Sequence, residues 1–249
     1  MLEVFDYSIT ILALMLVCAL FTGILHGATG MAGGIVMAAI LSHQIGIKTA
    51  IPVMTVALVI SHSSRVFLYA SHIDWLVVRR VLMFSAPTIV VGSTIFTYLD
   101  GTTVAIVMAV FLSFAVPIKA WARKHKMSTS PAVLAGASSV WGLLAGNVIG
   151  PGFFLAPFLL GTGMNRLTFV GSLASIVLVM NVLKLGVFGA NELISSSLIL
   201  LGVVIGLITI PGNWLGKKLL ERMSNVGHSR TVDGMTILLV INFIYLAIF

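Results

Sequence analysis

Two cationic residues, Arg65 and Lys184, stand 119 positions apart in this chain. Each follows a polar residue by three places, His62 before Arg65 and Asn181 before Lys184. Residues three apart share one helix face. Each pair therefore reads as a polar strip on an otherwise apolar segment. A cation at the centre of such a segment costs at least about 2.5–3.5 kcal/mol in a bilayer. Two readings meet that cost. Either both cations line a cavity and hold an anion, or each snorkels to the interface from about six residues inside its span.

The second candidate chemistry is backbone chemistry. Gly23, Gly27, Gly30, Gly33 and Gly34 form one glycine run. Gly142, Gly146, Gly150 and Gly152 form another, with Pro151 inside it. Glycines four apart lie on one helix face and allow close helix packing. That suits Gly23 with Gly27 and Gly142 with Gly146. The segments Gly30–Gly34 and Gly150–Gly152 instead predict breaks in the helix. Backbone N–H groups freed at a break can hold an anion, as a helix N-terminus does. His26, Thr29 and Asn147 flank the breaks and read as ligands or as interhelical glue. The candidate substrate-binding set is thus Arg65, Lys184, His62, Asn181, Gly30, Gly33, Gly34, Asn147, Gly150, Gly152, His26 and Thr29.

Absences narrow the chemistry further. None of the seven acidic residues falls at the centre of an apolar span. A Na⁺ site or proton relay usually recruits a carboxylate. Proton coupling would therefore fall to His26 or His62, since histidine titrates near neutrality. Without it, an anion would follow its own gradient or the membrane potential, which is worth about 2.3 kcal/mol per charge per 100 mV. There is no HExxH, no GxSxG and no paired carboxylate. Ser61-His62-Ser63-Ser64 puts serine beside histidine, but adjacent helix residues face different ways. The sequence predicts no enzyme, no cofactor and no metal site. Cys18 stands alone and forms no internal disulfide. An anion channel and a cation-coupled carrier of another small solute remain as alternatives.

The elements that position these residues follow from composition. The 249 residues are 59% hydrophobic and 8% charged, with a mean hydropathy of +1.15. A soluble domain carries roughly 25% charged residues. Lipid must therefore be the solvent for most of the surface. The expected fold is all-α, a polytopic membrane protein in which one membrane domain fills the chain. The net charge of +7 and pI of 9.9 would suggest nucleic acid in a soluble chain. Here the bases cluster between apolar spans, as at Arg123-Lys124-His125-Lys126 and Lys217-Lys218. They read as topology signals, so lipid and a small anion are the expected partners and nucleic acid is not. The N-terminus carries Glu3 and Asp6 with no basic stretch, unlike a secretory signal peptide. The oligomeric state, homo-oligomers included, stays open.

Apolar runs predict spans near 8–29, 49–71, 80–98, 102–122, 131–148, 168–190, 194–215 and 232–249. Shorter limbs follow the glycine breaks near 33–46 and 152–164, as short crossings or the returns of re-entrant hairpins. That makes eight to ten transmembrane segments. A shift of 119 lays Gly23, Gly27 and Gly33 on Gly142, Gly146 and Gly152, and Arg65 on Lys184, without a gap. The chain thus reads as two repeats, 1–126 and 127–249. Basic segments at 123–130 and 216–231, and a turn at Arg79-Arg80, read as cytoplasmic. The turns at Asp100 and Glu192 carry no base and read as external. The first repeat then starts outside and the second inside, an inverted pair of five segments each. Only Lys48 falls on the wrong side.

The stretch Gly142-Leu-Leu-Ala-Gly146-Asn-Val-Ile-Gly150-Pro-Gly152-Phe-Phe-Leu-Ala-Pro157 resembles the second glycine motif of the TauE/SafE family, and Gly23 to Gly34 resembles its first. The resemblance spans nearly the whole chain. Ala38 stands where a proline is usual, and Phe153 replaces a glycine. The resemblance implies a secondary transporter, an exporter of sulfite or an organosulfonate, in the plasma (inner) membrane of a prokaryote. The two departures bear on the substrate more than on the family.

Overall fold

The structure is a computed structural model, and it describes residues 9–124, 128–149 and 152–248. Among these residues there are ten α-helices, one 3-10 turn at Ala70–His72, and no strand. The helices are α1 (Ile9–Thr29), α2 (Ala32–Ile45), α3 (Ile47–Leu68), α4 (Trp75–Tyr98) and α5 (Gly101–Lys124). The others are α6 (Pro131–Asn147), α7 (Gly152–Leu160), α8 (Arg166–Ala190), α9 (Ser196–Arg222) and α10 (Asn225–Ile248). Four of them, α3, α4, α8 and α9, are long and apolar enough to cross a membrane. Shorter apolar stretches lie at Leu14–Thr29, Ala32–Ile45, Gly101–Phe114 and Asp233–Ile248.

Helix starts follow the side chains present. Asp74 accepts from the Val77 amide at 3.1 Å and opens α4. Asn165 accepts from the Leu167 and Thr168 amides and opens α8. Ser130 with Pro131 opens α6, where the missing proline N–H is harmless.

Several boundaries differ from the apolar runs. Arg79 and Arg80 lie within α4 and not in a turn, because the Asp74 cap starts the helix ahead of the hydropathy. Most of 216–231 is likewise helix, the polar ends of α9 and α10. The limb after the second break ends at Leu160, not near 164, where the Gly161–Gly163 turn, with Gly163 at φ 91°, stops it. At 14 and 9 residues, α2 and α7 reach only about 21 and 14 Å, short of a bilayer core.

Glycine sets the closest packing. A Cβ on Gly27 would lie 2.4 Å from the Asn213 carbonyl of α9. A Cβ on Gly146 would lie 2.3 Å from the Ser93 amide of α4. The packing reading of the outer glycines therefore holds. Gly33 would strike the Thr22 carbonyl at 2.0 Å, so the start of α2 runs back along α1. The chain thus doubles back at the first break.

α3 and α8 pack on each other at the centre. α1 packs on α9, α6 on α4, and α5 on α10. Outward faces of α4, α5, α9 and α10 expose Val91, Val110, Leu207 and Ile241, side chains suited to lipid.

Lys48 spends its ammonium inside the fold. It donates to the Phe96, Thr97 and Leu99 carbonyls at the C-terminus of α4. Arg166 does the same for Leu220 and Glu221 at the end of α9. Cations suit these sites because helix C-termini carry unpaired carbonyls and partial negative charge. Lys48 therefore caps a helix and is a poor guide to orientation.

Candidate functional cavity

The first break is built by Thr29 and Gly30. The Thr29 hydroxyl donates to the Leu25 carbonyl at 2.7 Å and accepts from the Ala32 amide at 3.1 Å. Gly30 turns with φ +86°, a conformation that disfavours any side chain. α1 thereby ends and α2 begins within the protein interior. The second break follows Asn147, with Val148 extended. Gly150 and Pro151 lie outside the described residues.

The two cations close these breaks. Arg65 is fully buried and donates to the Gly30 carbonyl at 3.0 Å and the Val170 carbonyl at 3.4 Å. Its other terminal nitrogen lies 3.2 Å from His62 Nδ1. Arginine only donates, so His62 Nδ1 accepts and any ring proton sits on Nε2. Lys184 is also fully buried and donates to the Ala145 and Val148 carbonyls at 3.1 and 3.0 Å. Snorkelling is therefore overturned, because both stems point inward to carbonyls and neither reaches an interface.

Between the breaks lies a small cavity of about 20 Å³, room for about one water. Its polar side chains are His26, His62 and Asn181, and its glycines are Gly30, Gly34 and Gly152. Leu58, Val177 and Met180 supply apolar wall. The linings pair off under the shift of 119: Leu58 with Val177, His62 with Asn181, Gly30 with Ile149. His26 and His62 meet edge-to-face with ring centroids 4.8 Å apart.

Six of the twelve candidate residues thus face the cavity. Arg65 and Lys184 stand behind its wall. Gly33 packs on α1, and Thr29 is held in the break. Asn147 donates to the Leu143 carbonyl at 2.9 Å, and its buried Oδ1 has no partner among the described residues.

Two contributors escaped the sequence reading. Tyr69 donates to the Gly27 carbonyl at 3.1 Å and helps close α1. It follows Arg65 by four residues, a spacing that places it on the same face. Asn213 donates to Ser61 and Ser64 and ties α9 to α3. Its position between Gly212 and Gly216 was the available signal. A wider groove between α5, α6 and α7, walled by side chains such as Phe111, Phe114 and Phe154, carries no polar group for a solute among the described residues.

An all-helical membrane bundle with broken helices around an internal cavity has the architecture found in secondary transporters. The chain belongs to the sulfite exporter TauE/SafE family, whose model matches residues 15–243. No curated protein and no solved structure matches it. Membership makes it a multi-pass membrane transport protein of a family of sulfur-anion exporters.

Proposed function

We propose that this chain exports a small sulfur oxyanion, sulfite or an organosulfonate, by alternating access at the cavity between the two helix breaks. The observation that carries the reading is the buried pair of cations. Arg65 and Lys184 stand behind one cavity, and among the described residues no carboxylate borders it. Arginine stays charged in proteins. In a low-dielectric interior its field reaches across the wall, so an anion in the cavity completes the charge balance. His62, Asn181 and the backbone near Gly30, Gly34 and Gly152 would contact its oxygens. Apolar wall from Leu58, Val177 and Met180 would take an organic stub.

We further propose that 1–126 and 127–249 are inverted repeats. Adding 119 to Ile47, the first residue of α3, gives Arg166, the first of α8. The same shift exchanges the packed pair α1 and α9 with the pair α6 and α4. Two symmetry-related halves allow one site to open to either side in turn. The plasma membrane of a prokaryote is the setting that the family suggests.

Thermal-shift measurements with sulfite, sulfoacetate, taurine, sulfate and chloride test the function. Stabilisation by one sulfur anion, weakened in Asn181→Leu and His62→Leu, is the expected result. A response to Na⁺ with none to anions would favour a cation-coupled carrier. Non-saturating conductance in bilayers would favour a channel.

A further inference from the structure

We infer that His26 is a proton-binding site and that each anion crosses together with one proton. This rests on the anion reading above. His26 lies in the last turn of α1, only 3% exposed, with its ring on the cavity wall. It also borders a second, smaller cavity lined by Thr22, Gly33, Ser61 and Thr209. The ring thus stands between two internal spaces.

Neither ring nitrogen of His26 makes a hydrogen bond among the described residues, and its contact with His62 is edge-on. Buried polar groups are nearly always satisfied by protein or by ordered solvent. Here the cavity contents must supply that partner.

His62 is unsuited to the same role. Its Nδ1 accepts from Arg65, so a proton there would break that bond and set two cations face to face. Tyr69 closes the end of α1, with the Lys217 ammonium 5.5 Å beyond its ring. Among the described residues, no titratable group of α2, α8, α9 or α10 borders either cavity. Lys184 is turned to the carbonyls of α6. Arg65 of α3 acts on both rings but makes no hydrogen bond to His26, so a proton on His26 breaks no bond and the anion in the cavity offsets the repulsion; His26 is therefore the group left to carry a proton. The shift of 119 places Ala145 opposite His26 and Asn181 opposite His62, so only the first half can do so.

Anion and proton then reinforce each other. An imidazolium beside the cavity attracts the anion, and by linkage the anion holds the proton equally. For a monovalent anion the loaded carrier moves no net charge. Transport then answers to the anion and proton gradients and not to the membrane potential.

Calorimetry on the purified full chain with methanesulfonate, ionised throughout the range, tests this. Titrations in buffers of different ionisation enthalpy count protons. The expected result is one proton taken up per anion, with affinity falling about tenfold per pH unit once His26 is neutral. His26→Asn should bind with a flat pH profile, while His62→Asn keeps the slope. Binding without proton uptake, or uptake unchanged in His26→Asn, overturns the proton site and leaves the anion reading standing. No binding of methanesulfonate or of sulfite overturns both.

Discussion

The Arg65 guanidinium donates to the Gly30 carbonyl at 3.0 Å, so a cation of α3 closes the break in α1. Lys184 of α8 does the same for α6 through Val148 at 3.0 Å. The end of each broken helix exposes carbonyls that have no helical partner. In lipid no water can satisfy them. Both do so, and Arg65 keeps its positive charge beside the cavity.

Arg65→Met leaves the Gly30 and Val170 carbonyls and His62 Nδ1 without their donor. A buried acceptor stripped of its partner costs about 1–3 kcal/mol. A lowered Tm in detergent is expected, with Arg65→Lys intermediate because a single ammonium cannot reproduce the fork. Equal Tm for wild type and Arg65→Met would remove the closing role.

Gly27→Ala should fail to accumulate folded protein, because its Cβ would lie 2.4 Å from the Asn213 carbonyl. Gly186→Ala in α8 meets nothing within 4 Å. There the better helix propensity of alanine, worth up to about 1 kcal/mol, should hold or raise the Tm. Size-exclusion profiles and thermal melts of the two variants decide this pair.

Asp100 opens α5 by accepting from the Thr103 amide at 2.8 Å and hydroxyl at 3.0 Å. These bonds, the backbone one first, hold its exposed carboxyl below its ordinary range. The contribution is therefore complete above the ordinary carboxylate pKa near about 4, and is lost as pH falls through the lower folded value. Melts between about pH 5 and 2.5 should show Asp100→Asn losing less stability than wild type on acidification.

Cysteines placed at Leu58 and Val177 probe the cavity from its two paired walls. In a Cys18→Ser background, a thiol reagent should label both in vesicles, and a bound sulfur anion should protect both. Labelling from only one face under every condition would argue against alternating access.

The sequence alone determined the class of solvent and the all-helical character of the fold. Very few charges leave lipid as the only surface solvent, and Gly30 marks where the first helix must end. The glycine motifs carried the family. Tertiary structure decided which polar residues face the cavity. Arg65, His62, Thr29 and Asn181 look alike in a sequence, each a lone polar group in an apolar run. Position among neighbouring carbonyls separates them: Arg65 and Lys184 turn to the helix ends, Thr29 caps the break, and His62 and Asn181 reach the cavity. Lys48 shows the same limit, since its charge reads as a topology signal until the end of α4 is seen beside it. The physical reason is that unpaired backbone carbonyls are the strongest acceptors in an acid-free interior, and their places are fixed only when distant segments pack.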